Sequence, residues 1–436
     1  MKRLFFGGIH PAYNKEMSKT VTDISTITPG QVVIPMQQHI GVPCEPLVKV
    51  GERVLRGQKI GDGEGLCVPV HASVSGTVVA VEPRPHTNGT MVNAVVIEND
   101  MRDETVPEFG CDLPLEKLEA EAVLRTIREA GIVGMGGAAF PGNVKALTSL
   151  GKIDTLIANA CECEPYITAD EVLLCTEPEQ VLEGIQIIRQ ILKPERVILA
   201  IEDNKVEAIN KLKALMTDYH GIELLVLPTM YPQGAEKQLI QSVTGREVLP
   251  GQLPASVGCA VFNVSTFGAI YRAVRLGRPL YQRIVTVSGE AIGKPQNFLV
   301  RIGTPLYDLI AAADGLNESI DRIISGGPMM GMAQSDLNTP VIKATNSVLC
   351  LRKDRNSTAE NPVCLRCGKC MDVCPMHLQP LYMYRFVNAK QIKELNRLNL
   401  MDCMECGCCS FACPGKLPLV ESFRRGKAML REAKKE

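Results

Sequence analysis

Over residues 28–100, apolar and polar positions alternate with period two in short runs at 47–50, 74–81 and 94–97, punctuated by Gly51, Gly57, Gly61, Gly63, Gly65 and Gly76. Side chains on a strand point to opposite faces in turn, so this stretch predicts a compact all-β unit. From Leu115 the period lengthens, and 116–130 is predicted as a helix with Leu118, Ala122, Ile127 and Ala130 on one side. After a glycine-rich loop at 131–142, unbroken apolar runs at 154–160, 196–201, 222–227 and 259–264 read as buried strands. Helical stretches near 171–192, 204–217, 234–243 and 267–276 lie between or after them. Buried strands alternating with helices predict an α/β domain with a largely parallel sheet. Residues 284–335 predict a smaller unit: a strand at 284–288, a strand at 297–302, a helix at 305–313 and a turn-rich close at 325–331. A polar stretch at 354–362 reads as a linker, 363–415 is rich in cysteine, and a basic tail follows.

The expected division is therefore a β unit at 1–110, an α/β domain at 111–280, a small unit at 281–345, a cysteine-rich domain at 355–420 and a tail at 421–436. A chain of 436 residues, 45% apolar and 22% charged, has the composition of a multidomain globular protein. Its net charge of -1 gives no global signal for nucleic acid. From Cys350 onward, 16 Lys and Arg face 9 Asp and Glu, so the C-terminal part carries a local positive excess suited to a solvated helix or to an acidic partner or lipid. The opening residues do not read as a signal peptide, and no apolar run reaches membrane-spanning length.

Eight of the 17 cysteines fall into one repeated motif. Cys364, Cys367, Cys370 and Cys374, followed by Pro375, recur in the same spacing as Cys403, Cys406, Cys409 and Cys413, followed by Pro414. This is the cadence in which bacterial ferredoxins hold two [4Fe-4S] clusters, with the fourth cysteine of each run serving the other cluster. The expected quartets are Cys364, Cys367, Cys370 and Cys413 for one cluster, and Cys374, Cys403, Cys406 and Cys409 for the second. Zinc ribbons use two CxxC pairs without this third and fourth cysteine. The other nine cysteines (Cys44, Cys67, Cys111, Cys161, Cys163, Cys175, Cys259, Cys350 and Cys408) read as small buried apolar residues, and usage overall fits a reducing compartment. The six histidines, His39 among them, read as surface or core residues.

The glycine loop follows a helix rather than a strand, so it lacks the context of the ordinary dinucleotide fingerprint. It can still cradle a phosphate at the start of the next helix. Asn159-Ala160-Cys161-Glu162-Cys163-Glu164-Pro165, Tyr231 through Lys237, and Asn263 through Thr266 each follow a predicted strand and converge on one crevice.

These segments, in this order, resemble the flavin-binding segments of the NADH-oxidising subunit of respiratory complex I. With the β unit in front and the twin cysteine motif behind, the whole chain resembles the RnfC family of the Rnf ion-translocating electron-transport complex. The Gly7-Gly8-Ile9-His10-Pro11 and Pro35-Met36-Gln37-Gln38-His39-Ile40-Gly41 segments are typical of that family. The resemblance implies a barrel-sandwich (lipoyl-like) N-terminal unit without a lysine to carry lipoate or biotin, a Rossmann-like flavin domain, a β-grasp unit and a ferredoxin-like 2[4Fe-4S] domain. It implies that Gly134, Gly136 and Gly137 hold FMN phosphate and ribityl, with Lys145 nearby as a cation and Asn263 and Thr266 at the phosphate end. Phe140 would stack on nicotinamide or adenine, Asn159, Glu162 and Glu164 would line the flavin and nicotinamide pocket, and Tyr231 and Glu236 would flank the isoalloxazine. The chain departs from complex I at Cys161, where that family has aspartate, and at Ala235-Glu236, where it has two glutamates.

The implied role is a peripheral subunit at the cytoplasmic face of the membrane. It would pass electrons between NAD(H), FMN and two clusters, linked through partner subunits to ferredoxin and to Na+ or H+ translocation. A cobalamin reductase of bacterial microcompartments shares the same parts, and a relay subunit without flavin is the other alternative.

Overall fold

The computed structural model describes residues 5–19, 24–317, 320–352 and 362–433. The stretch expected as a linker at 354–362 falls outside these residues, apart from Pro362.

The apolar alternation near the N-terminus folds into two small antiparallel sheets face to face. One is built from Gln31–Pro35, Met91–Asn99, Gly76–Pro85 and Arg53–Val54, the other from Glu45–Pro46, Lys59–Asp62 and Val70–His71. Val32, Ile34, Val54, Ile60, Val70 and Ile97 fill the space between them. The four apolar runs of the next domain pair in parallel in the order Glu223–Leu227, Arg196–Glu202, Thr155–Ala160, Cys259–Asn263. Helices cover the sheet, and Leu156, Leu199, Ile185, Ile188 and Phe267 belong to its main core.

The expected helix near 171–192 is two helices, Ala169–Thr176 and Pro178–Leu192. Proline has no N–H to give and fits the first helical turn, so Pro178 ends one helix and starts the next. In the preceding helix Val123, not Ala122, takes the buried position beside Ile127.

The third sheet mixes parts of the chain. Its order is Ser25–Ile27, Gln296–Arg301, Gln282–Ser288, Ser347–Arg352, Ile320–Ser325, Met332–Gln334. Ser25–Ile27 lies parallel to Phe298–Val300, and Ser347–Arg352 runs past residue 345. The boundaries expected from sequence at 110 and 345 therefore cut across this sheet. The cysteine-rich section packs as short helices around Met383, Leu395, Leu400, Phe423 and Leu430.

Gly184 sits where Pro178–Leu192 crosses Val264–Leu276. A Cβ there would meet the Phe267 carbonyl oxygen at 2.1 Å. In a free helix, Gly to Ala gains about 1 kcal/mol. Here the contact is with backbone, which cannot swing aside, and overpacking of this kind costs about 1–3 kcal/mol. Gly184→Ala is expected to lower the urea midpoint of the α/β domain, and a raised midpoint would show that the helices can part.

Candidate functional site

The strand order places a reversal between Thr155–Ala160 and Cys259–Asn263. At such a point the chain leaves the carboxyl ends of neighbouring strands in opposite directions, opening a crevice. Asn159 and Asn263 stand at those two ends. Asn159 Nδ2 donates to the Gly234 carbonyl at 2.9 Å while its Oδ1 accepts from the Cys161 N–H at 3.0 Å. Asn263 Oδ1 caps the Val264–Leu276 helix by accepting from the Ser265 N–H at 2.9 Å. Its Nδ2 donates to Asp170 Oδ2 at 2.6 Å, and Ser265 Oγ donates to the other Asp170 oxygen at 2.5 Å. The glycine loop lies over this rim. Met135 N–H donates to Thr266 Oγ1 at 2.9 Å, and Gly134 N–H to the Phe140 carbonyl at 2.8 Å. Gly136 and Gly137 leave their backbone exposed, and Phe140 is half-buried. The Gly142–Ser149 helix starts directly after the loop, so two helix starts meet at the rim.

The charged groups are arranged in pairs. Lys145 Nζ donates to Glu236 Oε1 at 2.5 Å and to the Val261 carbonyl at 2.9 Å. Glu162 Oε1 accepts from the Asp170 N–H at 2.9 Å, whereas its buried Oε2 has no hydrogen-bond partner and lies 4.0 Å from Lys15 Nζ. Burial pushes the Glu162 carboxyl up to about 7 against the pull of Lys15. Cys161, where complex I carries aspartate, donates its thiol to the Ala200 carbonyl of the adjacent strand at 3.5 Å and so faces the sheet.

Two residues expected beside the flavin bond across to other parts of the chain. Glu164 accepts from the N–H groups of Met329 and Met330 at 3.1 and 2.9 Å, binding the turn of the third sheet. A Cβ at Gly327 would lie 2.2 Å from its Oε2, so only glycine lets the turn close on this carboxylate. Tyr231 is 1% exposed. Its hydroxyl donates to the Cys406 carbonyl at 2.7 Å, and its backbone exchanges hydrogen bonds with Ile9. Gln238 Nε2 donates to the Pro375 carbonyl at 3.1 Å beside it. Both side chains therefore form a seam joining the α/β domain to its neighbours. Sequence reasoning also missed Lys15, Asp170 and Gln238. Asp170 carried the one usable signal, an acidic residue in the first turn of a helix.

At the seam, Cys374, Cys403, Cys406 and Cys409 line one small cavity of about 20 Å³ with Met376, Leu378, Met383 and Phe423. In the other half, burial raises the Cys370 thiol, and the neighbouring Cys413 and Cys367 add to that rise. The two motifs repeat in backbone as well as sequence. Arg366 and Glu405, Gly368 and Gly407, and His377 and Lys416 all have positive φ at matching offsets. N–H groups of Arg366, Glu405 and Leu378 donate to Cys364, Cys403 and Cys374 Sγ, each at 3.4 Å. Cys408 is buried beside Tyr231 and Cys406.

Burial raises Glu164, like Glu162, to about 7. A carboxyl whose folded pKa exceeds its unfolded value holds a proton that the unfolded chain has lost. Its contribution is whole below about 4.5 and drains away as pH rises towards 7. The unfolding midpoint is expected to fall over that window, and less steeply for Glu162→Gln/Glu164→Gln. Equal slopes in pH-resolved melts would discount both groups.

Four family descriptions match successive parts of the chain: RnfC Barrel sandwich hybrid domain at residues 3–102, Nuo51 FMN-binding domain at 127–272, SLBB domain at 284–333 and 4Fe-4S dicluster domain at 358–414. One subunit of the Na(+)-translocating ferredoxin:NAD(+) oxidoreductase complex of Acetobacterium woodii is 44% identical, over 97% of this chain and 96% of its own length. Its proton-translocating counterpart from Clostridium ljungdahlii is 43% identical over 99% and 95%. The corresponding subunit of an ion-translocating oxidoreductase complex from Klebsiella pneumoniae is 42% identical over 99% of this chain but only 58% of its own greater length. Among solved structures, an NAD+-reducing [NiFe]-hydrogenase in the H2-reduced state shares the fold at TM-score 0.51 and 20% identity, covering 73% of this chain and 64% of that one. The near full-length identities and the order of the four domains place the chain in the RnfC family, whose members are subunits of Rnf-type ion-translocating oxidoreductase complexes.

Proposed function

We propose that this chain passes electrons between NAD(H) and two [4Fe-4S] clusters by way of FMN, as a peripheral subunit on the cytoplasmic face of a membrane-bound Rnf-type complex. Partner subunits connect it to ferredoxin and to Na+ or H+ translocation. No helix among the described residues is long and apolar enough to cross a membrane, so attachment falls to those partners.

The observation that carries this reading is the wall shared at Tyr231. One side of the segment 231–234 is bonded to Asn159 at the crevice, and the Tyr231 hydroxyl is bonded to the backbone of Cys406. A two-electron site and a one-electron site are thereby held a few residues apart. The second quartet (Cys374, Cys403, Cys406, Cys409) adjoins the crevice, and the first (Cys364, Cys367, Cys370, Cys413) is the outer one.

The residues suit the cofactors. Inward-turned N–H groups at positive-φ positions stabilise thiolate sulfur, as a cubane site needs. The exposed backbone of Gly136 and Gly137, next to two helix starts, suits a phosphate, and the unpartnered Glu162 oxygen offers a buried acceptor to a bound group. When bound, FMN converts between a hydride and single electrons, which the clusters carry away or supply. The protein's share is position. Gly134, Gly136 and Gly137, with Thr266 fixing Met135 and Asn263 fixing Asp170, hold the phosphate and ribityl end. Asn159 and Glu162 line the ring pocket. Glu236 is held at its edge by Lys145, and Phe140 closes the glycine loop where nicotinamide would stack. Glu164 and Tyr231 are positioning residues.

Anaerobically prepared, cluster-loaded protein is expected to contain FMN and to bleach with NADH. Gly137→Val, which places a branched side chain at φ +133° on the open loop, should lose FMN and keep its iron. Protein that carries iron but no flavin, and does not bleach, would sink the reading. Tyr231→Phe removes a hydrogen bond worth about 1 kcal/mol across the seam. It should slow cluster reduction several-fold in stopped flow while leaving NADH reduction of the flavin unchanged. Parallel losses in both steps would place Tyr231 at the flavin instead.

A further inference from the structure

His39, Cys44 and Cys67 lie far apart in the β unit's sequence but meet in its interior. His39 is in the loop after Gln31–Pro35, Cys44 at that loop's end, and Cys67 in the loop between Lys59–Asp62 and Val70–His71. Their ligand atoms lie within 4.8 Å of one another, and all three residues are buried. The sulfurs are 3.4 Å apart, and Cys44 Sγ is 4.0 Å from His39 Nε2. The hydrogen bonds settle which histidine nitrogen carries the proton. Nδ1 lies 3.3 Å from the Ile40 carbonyl, an acceptor only, so it must donate. Nε2 takes the Val68 N–H at 3.2 Å, so it must accept. The ring is therefore neutral, with its lone pair on Nε2 and its other N–H held by a backbone carbonyl. That is the tautomer and support a metal-bound histidine requires.

We propose that His39, Cys44 and Cys67 bind one zinc ion, which staples the two loops of the β unit behind the glycine loop. Two thiolates and an imidazole select zinc over the hard cations, which prefer oxygen. With Zn–S near 2.3 Å and Zn–N near 2.0–2.1 Å, a tetrahedral site sets the sulfurs about 3.8 Å apart and each about 3.6 Å from the nitrogen. The two distances from Cys44, 3.4 and 4.0 Å, lie a few tenths of an ångström to either side, and Cys67 Sγ is within 4.8 Å of the ring. The Val68 carbonyl, 3.3 Å from Cys44 Sγ and 4.0 Å from Cys67 Sγ, is near enough to both sulfurs to serve as the fourth ligand. Binding releases the two thiol protons and takes the Nε2 lone pair from the Val68 N–H. The residue after His39 reaches the glycine loop, since Ile40 N–H donates to the Ala139 carbonyl at 3.1 Å. The ion therefore steadies the platform under that loop without touching a nucleotide.

The test uses the full chain with its clusters, prepared anaerobically and equilibrated with a slight excess of zinc, then desalted. Elemental analysis should find one zinc per chain beside the full iron content. Zinc X-ray absorption should show two sulfurs near 2.3 Å and a nitrogen near 2.0–2.1 Å. Cys44→Ser/Cys67→Ser should lose that zinc and keep iron and FMN. Three results overturn the proposal: no zinc retained, a four-sulfur shell marking zinc in a cluster motif, or a Cys44–Cys67 disulfide in the anaerobic protein. The absorption spectrum of the unaltered chain decides the matter even if the double variant fails to fold.

Discussion

A single buried ammonium shapes the loop that leaves the central strand. Lys15 Nζ donates to the carbonyls of Glu162, Glu164 and Ile167. Burial pulls it down to about 8, so it remains largely charged at neutral pH. An unsolvated cation costs several kcal/mol unless its protons are met, and three carbonyls converge to meet them. That convergence turns the loop so that Glu162 faces the Asn263–Asp170 side and Glu164 faces the third sheet. Cys163 Sγ between them accepts the Gly234 N–H at 3.4 Å, which leads on to Tyr231. The crevice and the seam thus take their form from one residue of the N-terminal segment, more than 140 positions away.

The same device recurs around the glycine loop. Lys343 Nζ donates to the Pro69 and Gly131 carbonyls at 2.7 Å each, joining the β unit to the start of the loop. Arg283, from the third sheet, donates to the Lys343 carbonyl and, at 3.3 Å, to the Met135 carbonyl. Carbonyls make good partners here because the main chain of a loop leaves them unpaired. A cation that collects several of them ties segments together without needing a buried carboxylate on the other side. The loop that is itself open and glycine-rich is held from beneath by two cations of the unit that carries the third sheet.

Features with a local cause could be read from the sequence. The cysteine cadence, the buried parallel strands and the clustering of Asn159 and Asn263 near one crevice all follow from spacing or from hydrophobic period. Contacts made by folding distant segments together left no local trace. Nothing around Tyr231 points to a carbonyl 175 residues later, and nothing around Glu164 points to the turn at Met329. The break at Pro178 was visible as a residue but outweighed by the apolar period running through it. Cys44, Cys67 and His39 each look unremarkable in sequence and gain meaning only through mutual distance and a hydrogen-bond pattern.

The short strand Ser25–Ile27 bears on how the chain is made. Its parallel neighbour, Phe298–Val300, emerges from the ribosome some 270 residues later. At roughly 5–20 residues per second, that is a delay of tens of seconds. The β unit behind it can close early, because its strands are near one another in sequence. The leading segment waits for its partners in turn: Lys15 for the loop at 162–167, Ile9 for Tyr231, and Ser25–Ile27 for the third sheet. Assembly of the redox core is therefore among the last events in the birth of the protein.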